Sequence, residues 1–135
     1  MMLSPFFIPS YQPGAPMKLI EGRNGYLYVE YSEPYQFNKL IDLMKEVLVV
    51  CETECYQKFL VNIKGMTGKV ATMERFELAM KGVSLFRFKG TYAIVYRKEE
   101  INRFAENVGA NRGLNALMFS DMDEALKWLE VSEEQ

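Results

Sequence analysis

The sequence contains no histidine. Triads and dyads that use imidazole as a general base are therefore unavailable, and so are zinc or iron sites with histidine ligands. Cysteine is nearly as scarce, with Cys51 and Cys55 four positions apart. A thiolate metal site needs three or four strong ligands, and a redox pair ordinarily reads C-x-x-C, so neither chemistry fits. Both read as small residues of a core or helix face, kept reduced, which points to a cytoplasmic protein. No metal and no cofactor is expected. No run approaches the roughly 18 apolar residues of a bilayer span, which leaves at most peripheral membrane contact. The apolar N-terminus lacks a basic stretch and is broken by Pro5 and Pro9, unlike a secretory signal.

What is present is ordinary for a globular chain. With 135 residues, 49% hydrophobic and 25% charged, it has the length and composition of one folded domain rather than two. Four of the five prolines, and no charged side chain, fall in residues 1–16. That segment favours extended conformations and reads as a proline-rich arm or extension. The patterned domain is expected over 17–135. Met17 could be the natural start, or the arm could dock through Phe6, Phe7, Ile8 and Tyr11 onto the body or onto a second copy as a homodimer.

From Met17 onward the hydrophobic period alternates. Met17–Glu21 and Tyr26–Tyr31 read as strands around a Gly22-Arg23-Asn24-Gly25 turn. Ser32 is placed to cap a helix whose apolar face is Phe37, Leu40, Ile41, Met44, Leu48 and Cys51. Lys58–Ile63 suits a buried strand. A glycine-rich loop then leads to a helix over 72–86, with Thr72 as its cap and Met73, Phe76, Ala79, Met80, Val83 and Phe86 as its inner face. Tyr92–Tyr96 is a strand, and Ile101, Phe104, Ala105 and Val108 mark a third helix. Leu114–Phe119 is the last strand. A final helix begins at Ser120 or Asp121, with Asp121 and Glu124 spaced as a capping box and Met122, Ala125, Trp128 and Leu129 inside. The order β-β-α-β-α-β-α-β-α with short linkers predicts an α/β fold: a mostly parallel sheet with an N-terminal antiparallel hairpin strand and helices packed on it.

Over roughly residues 17–131 this pattern resembles the STAS domains of bacterial anti-anti-sigma factors, and more specifically the SpoIIAA-like (STAS/CRAL-TRIO-like) family. The resemblance rests on Phe104-Ala105-Glu106-Asn107-Val108-Gly109-Ala110-Asn111-Arg112-Gly113, then Phe119-Ser120-Asp121 and Glu124-Ala125-Leu126-Lys127-Trp128-Leu129, preceded by the strand Tyr92-Ala93-Ile94-Val95. It implies a non-catalytic regulatory domain that engages a protein partner. It departs at the family's Asp-Ser phosphorylation switch, where this chain has Val70 and Ala71. Thr72 stands one step away, so the switch is not carried over.

Two sets of candidate site residues follow. Lys64-Gly65-Met66-Thr67-Gly68-Lys69 fails the spacing of a phosphate-binding loop, but a glycine-rich turn at a helix start exposes backbone N–H groups. Lys64, Gly65, Thr67, Gly68, Lys69, Thr72 and Arg75 are therefore the candidate partner- or anion-binding surface. Charge supports it: residues 58–98 carry a net +7, residues 99–135 a net −6 and residues 1–57 a net −3. The basic tract could meet an acidic partner or anionic head groups, or be neutralised by the acidic tract of the same molecule. Nucleic acid is not expected of a chain with net charge −2 and no stacking-plus-basic motif. The second set is apolar. Met44, Met73, Phe76, Met80 and Phe104 could line a pocket for a lipid-like or other apolar ligand, as the CRAL-TRIO resemblance implies. No carboxylate pair stands out for acid–base catalysis, so an enzyme is not expected.

Overall fold

A computed structural model of the chain describes residues 17–101 and 103–132. The elements run β1 (Lys18–Arg23), β2 (Tyr26–Tyr31), α1 (Phe37–Glu54), β3 (Lys58–Asn62), α2 (Thr72–Phe86), β4 (Thr91–Val95), a 3₁₀ turn (Lys98–Glu100), α3 (Arg103–Ala110), β5 (Asn115–Phe119) and α4 (Met122–Leu129). One sheet takes the strands in chain order, β1-β2-β3-β4-β5, with β1 antiparallel to β2 and all other pairs parallel. This is the expected α/β order, with the antiparallel strand at its N-terminal edge. The hairpin is tighter than the four-residue turn read from sequence. Its strands pair as far as Arg23 and Tyr26, and Gly25 adopts φ +86° to close the turn.

Strand periodicity sorts the side chains into two cores. Leu27, Val29, Phe59, Tyr92 and Tyr96 face the buried residues of α1 and α2, while Tyr26, Tyr28, Leu60, Ala93 and Val95 face α4. Burial on both faces explains why β2, β3 and β4 read as nearly continuous apolar runs. The exposed edge β1 is tied to α1 by Lys18 and Glu46 at 2.8 Å. At the other edge, the Glu106 carboxylate accepts from the Met118 N–H of β5. Charges placed this way discourage further strand pairing. At the start of β4 a glycine is required: a Cβ on Gly90 would sit 2.6 Å from the Gln57 carbonyl oxygen.

Several local expectations are corrected. Ser32 caps no helix; its hydroxyl donates to Glu30 at 2.9 Å. Helix α1 starts later, after Gln36, because residues 33–35 are drawn to the loop after β3: Tyr35 N donates to the Thr67 carbonyl, and Thr67 N to that of Glu33. The buried face of α1 is Leu40, Leu43, Val47 and Cys51, with Met44 and Leu48 beside it. The face is thus rotated toward Leu43 and Val47. Thr72 is the first helical residue of α2 rather than its cap, a position held by Ala71 without a side-chain bond. Met73 points outward, 69% exposed, since α2 buries Gly82, Val83 and Phe86 instead. Ile101 precedes α3 as the residue closing the 3₁₀ turn. Asp121 caps α4 as expected, accepting from Glu124 N at 3.1 Å. Cys51 is buried, Cys55 is exposed just past α1, and neither forms a disulfide. The arm, residues 1–16, and the side chains of Phe104 and Ala105 lie outside the described residues.

Candidate functional site: an apolar cavity between helices and sheet

The three helices on one side of the sheet do not fill the space they enclose. A cavity of about 220 Å³ lies between α1, α2, α3 and the strands β2 to β5. Leu43 and Met44 of α1, Leu78, Ala79 and Gly82 of α2, and Val61 and Ile94 of the sheet contribute to its walls. Ala79 and Gly82 bring little side-chain volume to the α2 wall, and a Cβ on Gly82 would already meet Leu114 at 3.5 Å. The walls are almost wholly apolar; Arg75 and Glu106 are the charged residues among them. Both are engaged within the molecule. Arg75 donates from Nε to the Val70 carbonyl (3.1 Å), from Nη1 to the Glu100 carbonyl (2.9 Å) and from Nη2 to Glu100 Oε1 (2.9 Å). Glu106 also accepts from Arg103 Nη1 at 2.5 Å.

One end of the cavity lies at the C-terminal ends of the parallel strands, where Ile63, Met66, Val70 and Tyr96 contribute. Open α/β sheets ordinarily take ligands there. Tyr35 in this region donates its hydroxyl to Glu74 at 2.5 Å. Tyr96 is 2% exposed, and its hydroxyl has no hydrogen-bond partner among the described residues. Two buried tyrosines elsewhere make the fold sensitive to alkali. Burial, then its bond to Glu30, raises Tyr28 to about 12, and burial likewise raises Tyr92. Tyr35 is raised by burial and by Glu74. In the unfolded chain these phenols ionise near pH 10. Their stabilising contribution is therefore complete below about pH 10 and is lost as pH rises through 12. Urea midpoints at pH 8 and pH 11 are expected to show a marked fall at the higher pH.

The residues singled out from sequence are only partly brought together. Thr67, Gly68, Lys69 and Thr72 form an exposed stretch at the same end of the sheet. Lys64, though exposed, donates to the Ser120 carbonyl at 2.8 Å, and Arg75 faces inward. The backbone amides of Lys64, Met66 and Thr67 already donate to Asn62 Oδ1, Ile63 O and Glu33 O, so those three are turned away from an anion. Gly65 presses against Ser32, and the Gly68 carbonyl accepts from Arg97 at 3.0 Å. Of the apolar set, Met44 lines the cavity, whereas Met73, Phe76 and Met80 are not among its walls. The side chain of Phe104 lies outside what the structure describes. Tyr96 and Gly82 were missed as wall residues. Tyr96 was legible by strand alternation, since it follows Tyr92 and Ile94 on one face. Gly82 was legible as a glycine inside a helical pattern, between Lys81 and Val83.

Among the described residues, no cluster of acidic or thiol side chains could hold a metal ion, and no helix is long and apolar enough to cross a membrane. No family model matches the chain, and no curated protein matches it. Solved structures do. An anti-sigma factor antagonist from Mycobacterium paratuberculosis superposes with a TM-score of 0.59 at 16% identity, over 88% of this chain and 97% of that one. An uncharacterized protein of the DUF3478 family from Shewanella loihica PV-4, described as having a SpoIIAA-like fold, gives 0.51 at 20% identity, over 84% and 92%. At such identities the likeness is one of architecture: the chain has the SpoIIAA-like fold.

Proposed function

We propose that this chain is a non-catalytic binding domain that holds a small, largely apolar ligand between its helical layer and its sheet. The observation that carries this reading is the 220 Å³ cavity. An engineered cavity of ~150 Å³ already takes up benzene, while pockets for drug-sized molecules begin near ~300 Å³. The ligand is therefore larger than benzene and smaller than a typical drug. The pocket is partly open to solvent, so without a ligand its apolar walls stay in contact with water, which costs ~25 cal/mol for each Å² left exposed. Occupancy by an apolar molecule recovers much of that.

A second reading is favoured by the likeness to an anti-sigma factor antagonist, a protein that acts on another protein. A partner would meet the exposed Thr67–Lys69 stretch and the outward Met73 at the start of α2. Regulation by a bound ligand and contact with a partner are compatible in one domain.

Native mass spectrometry of the freshly purified protein, beside its denatured mass, tests the first reading. A small organic adduct is expected, lost on denaturation and absent from an Ala79→Phe variant whose ring fills the cavity. Binding of an apolar fluorophore should weaken at least tenfold in that variant. Equal binding by both proteins, with no adduct on either, overturns the cavity reading. A second polypeptide retained in the native spectrum would instead support the surface reading.

A further inference from the structure

The N-terminal ends of the parallel strands, opposite the exposed 67–69 stretch, carry a different surface. Lys58, Thr91 and Asn115, the first residues of β3, β4 and β5, lie in register there. The loops leading into them are joined: Thr91 N donates to the Gln57 carbonyl at 2.9 Å, and Phe88 N to that of Gly113 at 3.1 Å. Out of this junction stands Phe88, 81% exposed, the one exposed aromatic among the described side chains. Its position is fixed. The ring lies against Gly113, where a Cβ would come within 2.4 Å of it, and the Arg87 guanidinium sits 5.3 Å from its centroid. Phe88 also holds φ at +64°, a left-handed conformation unfavourable for a bulky side chain. So exposed a ring gains little from burial to offset that conformation.

Charge decides what such a ring would meet. Residues 55–58, 87–91 and 111–115 contribute Lys58, Arg87, Lys89 and Arg112 and no acidic side chain, in a chain of net charge −2. None of the four forms an ion pair among the described residues, unlike Arg75 at the other end of the sheet. A shallow recess beside the ring, lined by Gln57, Lys89, Thr91 and Asn115, adds amide groups to the cations. A preorganised aromatic ring with an arginine beside it is the pattern of an interface anchor. We propose that this surface docks an acidic segment of a partner protein. One apolar side chain of that segment packs on Phe88, and its carboxylates pair with Arg87 and Lys89. Single-stranded nucleic acid fits less well, because it uses a succession of stacking rings and here there is one. The surface is independent of the cavity, whose walls include neither Phe88 nor any of the four cations.

The test is an NMR titration of the full chain with unlabelled peptides. Acetyl-Glu-Glu-Leu-Glu-Glu-amide is the probe, beside versions with glycine for leucine and with lysine for every glutamate. The acidic leucine peptide is expected to shift amide signals of residues 87–91 and 111–115, and added salt should weaken it. The glycine version should bind about fivefold more weakly and the lysine version not at all. Phe88→Asn should weaken the leucine peptide about fivefold, to the level of the glycine peptide. The double variant Arg87→Glu with Lys89→Glu should abolish binding. Asparagine accepts left-handed backbone, so the urea midpoint of Phe88→Asn should be no lower than that of wild type. A clearly lowered midpoint would make the ring a structural element and overturn its role as an anchor. Shifts confined to residues 64–73 would put the acidic segment at the other end of the sheet and sink the proposal. So would the absence of any shift at millimolar peptide. Tighter binding of a short oligothymidylate than of the peptide would reassign the surface to nucleic acid. Self-association of the free chain that Phe88→Asn abolishes would reassign it to a second copy.

Discussion

Replacing Phe59 by alanine is expected to destabilise the protein by about 4 kcal/mol, within the range for a buried aromatic. Phe59 is fully buried, and its ring stacks on Tyr92 with centroids 4.7 Å apart and planes 17° from parallel. The same ring packs against Gly90, whose missing Cβ makes room for it. Phe59 also borders the cavity. The deletion therefore enlarges an existing space instead of opening a separate one that neighbours could close, which keeps the cost above the lower end of the range. Chemical denaturation should show a lowered midpoint with little change in slope. A loss below about 1 kcal/mol would mean that the layer collapses readily, and the cavity would then not be a persistent feature of the fold.

The second large effect is expected at Arg75. Arg75→Ala removes one half of an ion pair with Glu100 whose side chains are 13% and 10% exposed, and it strips donors from the carbonyls of Val70 and Glu100. Breaking a buried pair typically costs 3–5 kcal/mol, and the slight exposure here lowers the expectation to about 3 kcal/mol. Lysine should rescue little, since one ammonium cannot reproduce three donors held in a planar fork. The consequence is local as well as global. Arg75 joins the loop after β3 to the 3₁₀ turn after β4, so hydrogen exchange in both segments should accelerate beyond what the overall loss predicts. Uniform acceleration across the chain would show instead that Arg75 contributes to global stability only. Two carboxylate–arginine double variants, Arg75→Met with Glu100→Gln and Arg75→Met with Glu100→Leu, separate the charge from the packing. Both should be more stable than Arg75→Ala, because no unpaired carboxylate is left behind.

Arg75 also shows how charge read along a chain differs from charge placed in space. The basic middle tract and the acidic C-terminal tract suggested either a partner surface or mutual neutralisation. At Arg75 and Glu100 the second account holds, with the two tracts joined at 2.9 Å. Lys69 remains on the exposed side of the same loop, and Lys64 reaches across to the start of α4 through the Ser120 carbonyl.

The order of elements was legible because each carries its own local signal. Period-two and period-3.6 patterns, glycine at the turns and Asp121 ahead of α4 act over a few residues and need no knowledge of the fold. The parallel sheet followed from short linkers between strand and helix. Even the span of α2 could be placed closely. What failed were positions where a distant segment outcompetes a local preference. Ser32 has a good capping side chain, yet residues 33–35 bond to Thr67 instead, thirty-odd residues away, and α1 starts after Gln36. Met73 has the right spacing for an inner face, but α2 is rotated so that Gly82, Val83 and Phe86 turn inward.

The site lies almost entirely in this second category. Sequence alone determined that imidazole chemistry is absent, that one face of each helix is apolar, and that methionines and aromatics are plentiful. It could not determine that three apolar faces meet without filling the space between them. A cavity is a shortfall in packing among residues far apart in the chain, and no short window of sequence records how much volume its neighbours leave open. The same holds for Tyr96. Its place just after β4 is a local property, but whether its hydroxyl finds a partner depends on which distant segments pack around it. Only the tertiary structure decided that.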